Sequence, residues 1–491
     1  MIATLIIISI LTFSVAAFYR ALIPGYRSVY QGASWQEALH GAEAGADYAL
    51  QTLNSYASSS PDTSTYSWTG TTATATSYTP LSSANNRERT LDALPQLGGA
   101  NNVKLLNVSV DVYTRDTTTQ NNPWYRIRST ARADLSDKYV SRDGREAELR
   151  RMKLTNKNGT VDDPYVARTV EMIVRPKFRF SSAITTATSL SLGNSSGWLV
   201  DSFDSSDTAK SDPGTAAGGI YPSSTPSEIQ SNGTVATQAV LPTGTLYGAL
   251  ISANGAVVKG DVMTSGGDDP STSVHENVSG SSGMDQTRIR DDFDELLSSV
   301  SMPSWSSWSA NPLGNTNFIT SASSTSPARY ILTNLGTFDV VAPAAGTTGY
   351  IEIRVDGDLN IGTGSGAQIT IPPNVYATIY VGGNIDFGNG TVNSNASSSQ
   401  VASHLTVYGV GSSGTYTASG EAVQILSFYG PKYDITLNGT VTTTGSVVGK
   451  TFTISGGGNG GFHYDEALGK NGIISGWTPA SYFEDTRVDV K

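Results

Sequence analysis

Met1 to Phe18 reads MIATLIIISILTFSVAAF and contains no charged residue, which limits where this end of the chain can be placed. The apolar character continues weakly through Tyr19, Arg20 and Ala21 to Ile23. About 20 such residues at 1.5 Å rise match a hydrocarbon core of roughly 30 Å, so the sequence predicts a segment able to span a membrane. A helix apolar on all sides must sit in lipid or among other helices. A secretory signal peptide would open on a positive segment, whereas the first basic residue here, Arg20, follows the run.

The helical pattern also continues past the point where a signal peptide would end. After an expected break at Pro24-Gly25 it resumes through Trp35, Leu39, Ala42, Ala46, Ala49, Leu50, Leu53 and Tyr56, mostly in steps of three and four. The result is a predicted helix of about 55 residues, roughly 80 Å long if straight. Its first half is apolar all round and its second half amphipathic. Gly41 and Gly45 form a Gly-x-x-x-Gly step among alanines; such a step either lets another helix approach closely or seats the helix on its own head.

A processed N-terminus at Met1, an apolar helix with Pro24 near its end, and the continuation AEAGADYALQTLN from Ala42 to Asn54 resemble the type IV pilin superfamily, particularly its large minor-pilin branch. The resemblance implies that a prepilin peptidase removes a short basic leader and that the helix waits in the inner membrane before packing into a filament core. It assigns assembly to Met1, Leu5, Ile6, Ile7, Leu11, Phe18, Pro24, Gly25, Trp35, Leu39, Gly41, Gly45, Leu50 and Leu53. The family usually has a Glu where this chain has Leu5. The large tip subunit of type II secretion pseudopili also lacks it, which sets a capping subunit beside a repeating one.

Downstream, composition takes over. Only 15% of residues are charged, while Gly reaches 51 copies, a mixture suited to short strands joined by tight turns. A net charge of -11 offers no broad basic face for phosphates, so no nucleic-acid partner is expected. With no Cys and only His40, His275, His404 and His463, thiolate chemistry is excluded and His-based catalysis or metal binding is thinly supplied.

Ala57 to Pro80 is Ser/Thr-rich and reads as an exit from the helix. Alternation then predicts strands at Asn107 to Thr114, Trp124 to Leu135 and Arg168 to Pro176. Between them, Lys138 to Lys157 mixes Arg142, Arg145, Arg150, Arg151 and Lys153 with acids, the composition of a solvated hairpin or of a contact with an acidic surface.

Beyond about Phe180 the chain repeats itself. Val258-Lys-Gly-Asp-Val, Val355-Asp-Gly-Asp-Leu and Val381-Gly-Gly-Asn-Ile share one form, and the last two begin 26 residues apart. A looser Asn-Gly-Thr-Val recurs at Asn232, Asn389 and Asn438. Stacked rungs bury what one rung cannot, so Ala183 to Ile474 is expected to be a parallel β-helix, with a β-sandwich as the alternative. A short amphipathic helix is expected within Met284 to Met302, where Ile289, Phe293, Leu296, Leu297 and Val300 recur.

Acidic clusters at Asp201, Asp204, Asp207 and at Asp268-Asp269 lack a calcium-loop pattern. The run His463-Tyr464-Asp465-Glu466 is the most enzyme-like string, yet neighbours in sequence point different ways and no Ser elbow accompanies it. It also resembles a closing segment of other large pilin-like heads, which implies a hydrogen-bonded cap.

The sequence is therefore read as α+β: an assembly helix over 1–57, a pilin-like α+β head over 58–180 and a β-solenoid-like display domain over 181–491. The expected function is that of a non-enzymatic subunit of a surface filament, inner-membrane first and extracellular after assembly, with no cofactor. Its expected partners are itself or other pilins, assembly machinery, the membrane, and a surface or glycan ligand on the head. A low-copy tip adhesin and a membrane-anchored β-helical carbohydrate enzyme are the alternatives; paired acids on one face would favour the latter.

Overall fold

The structure, a computed structural model, describes residues 2–57, 68–69, 88–91, 103–113, 124–134, 165–192, 197–207, 209–213, 219–222, 232–238, 250–265, 278–293, 295, 297–305, 308, 316–362, 367–393, 401–456, 460–471 and 474–485. Within these the chain divides into two units, Met1–Lys177 with Ile474–Lys491, and Phe178–Ile473. The second unit is thus an insertion in the first.

In the first unit the helix α1 runs Ile2–Ala57. Ala38, Ala42, Ala46, Ala49 and Leu53 are buried, a spacing of three and four that defines one face. This face packs on an antiparallel sheet in which Tyr125–Asp134 lies between Val103–Val112 and Tyr165–Phe178. Ile474–Asp485 takes the place next to Tyr165–Phe178 in the same six-stranded sheet. It is tied to the helix by Trp477 N–H donating to Asn54 Oδ1 at 2.6 Å and by Tyr482 Oη–H donating to Glu43 Oε1 at 2.8 Å.

In the second unit the strands of the large sheet run parallel, and Asp212–Pro213 with Gly219–Ile220 forms a separate antiparallel pair. Gly349–Val355 pairs in register with Val375–Val381, and that strand with Leu405–Gly409. Alternate residues of Gly349–Val355 are buried, as a half-buried pleat requires. At one corner, side-chain oxygens climb the stack: Asn334 Oδ1 accepts from Asp358 N, Asp358 Oδ1 from Asn384 N, and Asn384 Oδ1 from Thr415 N, at 2.9, 2.7 and 3.1 Å.

The stacking order departs from the chain order. The first strand, Ile184–Ser191, lies between Thr442–Ser455 on one side and Val235–Thr237 with Ile251–Ser252 on the other. From there the stack continues through Val262–Thr264 to Ile289–Arg290. The chain then resumes at the opposite end with Asn317–Phe318 and Ala328–Leu332, and winds back coil by coil until it meets its own first coil.

Five expectations are corrected. The α+β class is overturned: among the described residues strands dominate, and the large sheet is parallel. The physical reason is the Gly/Ser/Thr-rich composition, which favours strands and tight turns after residue 57. Parallel pairing also removes the β-sandwich, whose sheets are antiparallel.

Residence in the inner membrane is overturned as well, since among the described residues no helix is long and apolar enough to cross a membrane. The expected break at Pro24-Gly25 is absent, the backbone there being helical; intact turns on both sides carry the helix past one missing hydrogen bond. The helix expected within Met284–Met302 is replaced by the 3-10 turn Gln286–Arg288, the strand Ile289–Arg290 and extended chain. Here the apolar side chains line the coil instead of a helix face. The segments 58–67, 70–80, 138–157 and 268–269 lie outside the described residues.

Candidate functional site

Two places carry the chemistry the sequence pointed to. The first is the early part of α1. Ile6, Ile7, Ile8, Ile10, Leu11, Phe13, Val15 and Phe18 are all exposed, Phe13 at 80% and Phe18 at 64%. A helix exposes large apolar side chains on every side only when a partner covers them. Even Thr12 adds little polarity, because its hydroxyl turns back to donate to Ile8 O at 2.6 Å.

The later part of the helix behaves oppositely. Gly41 and Gly45 are buried, and a Cβ at Gly45 would stand 2.3 Å from Ser129 Oγ and 2.8 Å from Leu105 Cδ2. The small residues therefore seat the helix on its own sheet, which closes that face to another helix. Leu53 is buried in this seat, Leu39 and Leu50 are half-buried against it, and Trp35 stays exposed. Met1 and the side chains of Leu5, Pro24 and Gly25 lie outside the described residues.

The second place is a buried polar cluster where Gly461–Asp465 pairs in parallel with Leu199–Phe203, setting His463 opposite Asp201. His463 Nδ1 lies 2.6 Å from Asp201 Oδ1, and Tyr221 donates to Asp201 Oδ2 at 2.9 Å while its ring stacks on the imidazole at 3.6 Å. Burial, helped by the charge of Asp201 and the bond to it, pushes the Tyr221 phenol well above its ordinary value.

Alongside, Glu466 Oε1 accepts from Ser202 Oγ and Asn232 Nδ2 at 2.8 and 2.9 Å. Lys470 Nζ lies 2.5 Å from Asp204 Oδ2 and 3.5 Å from Glu466 Oε2. Burial raises the Asp204 carboxyl, but hydrogen bonds from Lys470 and Ser206 outweigh it and hold the group below the usual range. Burial lowers the Lys470 ammonium, and its acidic partners more than restore it.

Asp465 differs. Its Oδ1 accepts from Ser205 N and Ala467 N at 3.0 and 3.1 Å, while Oδ2 is buried with no partner among the described residues. Burial pushes its carboxyl up to about 6 against the opposing pull of those bonds.

The structure thus unites two strings that sequence reading kept apart, Asp201-Asp204 and His463 to Glu466. It leaves Asp207 to pair with Lys210 at 3.3 Å. Sequence reasoning missed Tyr221, Ser202 and Asn232, which no spacing connects to residue 463; Lys470, four residues after Glu466, had a helical spacing that could have flagged it. Among the described residues, no group of three His, Cys, Asp or Glu is arranged to hold a metal ion. The carboxylates are taken by Lys470, His463, hydroxyls and backbone N–H groups, an arrangement suited to locking two coils together.

Residues 333–471, within the parallel coil, match the model of a family described as a domain of unknown function, DUF7305. No curated protein matches the chain. Among solved structures, the competence-associated pilin ComZ from Thermus thermophilus is 11% identical, with 93% of this chain and 98% of that one covered, at a TM-score of 0.23. At that score nothing is carried over to this chain.

Proposed function

We propose that the chain is a structural subunit of a filament of the type IV pilus class, assembled through residues 6–18 with other copies of itself or with other pilins. The observation that carries this reading is the contrast within α1: apolar side chains exposed on every side from Ile6 to Phe18, and a small-residue face sealed onto its own sheet from Ala38 to Leu53. Burial of apolar area at about 25 cal/mol per Å² makes mutual packing of these stretches the natural way to cover them. The inserted coil, 178–473, is then free to serve adhesion or mechanical support.

The reading includes no catalysis. Asp201 and His463 are held between strands and covered by the Tyr221 ring, with hydrogen bonds spent on structure. A low-copy tip subunit is the second reading, favoured by Leu5 in place of the usual Glu. Sedimentation of the full chain tests assembly: wild type pellets as polymer and Leu11→Lys stays in the supernatant, whereas equal pelleting of both would remove residues 6–18 as the assembly surface. Protein mass spectrometry of sheared filaments separates a dominant subunit from a trace one.

A further inference from the structure

The stacking order creates a problem of its own. After Ile289–Arg290 at one end of the parallel stack, the chain must travel to Asn317–Phe318 at the other. Residues 293, 295 and 297–305, described parts of that connection, touch several coils. Phe293 N–H donates to Thr264 O at 3.1 Å, and Ser181 Oγ–H to Glu295 Oε1 at 3.5 Å. Tyr429 Oη–H donates to Ser298 O at 2.8 Å, and Arg354 Nη1–H to Pro303 O at 2.9 Å. Trp305 then stands edge-on to Tyr380, ring centroids 6.3 Å apart, with the Arg329 guanidinium 5.4 Å from its ring centroid.

Arg329 belongs to Ala328–Leu332, the last long strand at that end, whose one ladder partner among the described residues is 351–355. A terminal rung of a stacked array has one interface instead of two and frays first. The segment therefore connects one end of the stack to the other.

We propose that residues 293, 295 and 297–305 form a longitudinal clasp that holds the terminal coil and makes the stack open as one body. The cation–π contact of Trp305 with Arg329 adds to the terminal coil a contact beyond its one ladder partner, and the hydrogen bonds from Arg354 and Tyr429 anchor the same segment to coils further in. The proposal is independent of filament assembly.

Hydrogen exchange of the full chain, read by mass spectrometry, tests it with Trp305→Ala, Tyr429→Phe and Arg354→Ala, singly and combined. In the combined variant the amides of Ala328–Leu332 exchange at least about tenfold faster, while Ile184–Ser191 in mid-stack keeps its protection. Trp305→Phe retains most of the protection, and Trp308→Ala, at an exposed neighbouring ring, changes nothing. Should the combined variant fail to fold, Trp305→Ala alone gives a smaller rise confined to the same strand. Wild-type protection of Ala328–Leu332 in the clasp variants, equal loss at both strands, or an equal effect of Trp308→Ala would overturn the clasp.

Discussion

The antiparallel sheet of the first unit and the parallel coil of the second bury their strands in different ways. The antiparallel sheet covers its buried face with a separate element, the 38–53 stretch of α1, and its strands carry polar cross-strand pairs such as Arg128–Glu171 and Thr130–Thr169, each at 2.9 Å. The coil's apolar residues point inward and each rung covers the next, with Leu297 and Val300 of the outer segment packed against that core. In the first unit, damage is expected where helix and sheet touch. In the coil, it is expected wherever one rung's backbone meets another's.

The largest effect expected from this difference is at Gly445. Its φ is +132° and a Cβ there would lie 1.9 Å from Leu426 O and 2.9 Å from Ala402 Cβ, so backbone would have to move. Gly445→Ala is expected to destabilise the coil by about 3 kcal/mol or more, read as an early unfolding transition in calorimetry. An unchanged transition would contradict the close stacking of Val423–Gly439 on Thr442–Ser455.

The next effect is pH-dependent. Asp465 holds its proton more tightly folded, with its carboxyl pushed up to about 6, than at its ordinary value of 3.8. The folded state therefore binds more protons between these values. Its contribution to stability is full below the unfolded value and is lost as pH rises through about 6. Asp465→Asn should flatten the pH dependence between about 4 and 6 and gain on the order of 2 kcal/mol relative to wild type at pH 7.5. Urea unfolding of both chains at the two ends of that range checks this; a variant retaining the wild-type slope would exclude Asp465 as its source.

Smaller again is Gly45→Ala. The atoms it meets first, Ser129 Oγ and Leu105 Cδ2, are side-chain ends that can shift, so a loss of about 1–2 kcal/mol is expected. It should appear in the first unit and leave the coil's transition in place. Smallest is Arg128→Ala, which breaks an exposed pair with Glu171 and should change stability by less than about 1 kcal/mol.

How much of this was legible in the sequence follows from how local each cause is. The alternation of Asn107 to Thr114, Trp124 to Leu135 and Arg168 to Pro176 marks strands that the structure contains at Val103–Val112, Tyr125–Asp134 and Tyr165–Phe178. The 26-residue step from Val355 to Val381 is a pairing register, because the two residues are ladder partners. The α+β class gives the N-terminal helix too much weight, since the Gly-rich composition suits strands and most of the chain lies beyond the apolar run.

The spacing of Ile289, Phe293, Leu297 and Val300 suits a helix face, but a strap laid over a coil also places apolar side chains inward at irregular steps. Nor does any spacing reveal that the first coil pairs with the last. That closure brings Asp201 to His463 and creates the polar cluster, so the cluster could not be read before the stacking order was known.

The central claim is that residues 6–18 are the assembly surface, and cryo-electron microscopy of the polymer formed by the full chain tests it most directly. The account predicts helical filaments with Ile6 to Phe18 on the axis, packed against the same stretch of neighbouring copies. Filaments held together through other surfaces with these residues left at the periphery, or a chain that remains monomeric under all conditions that polymerise pilins, would contradict it.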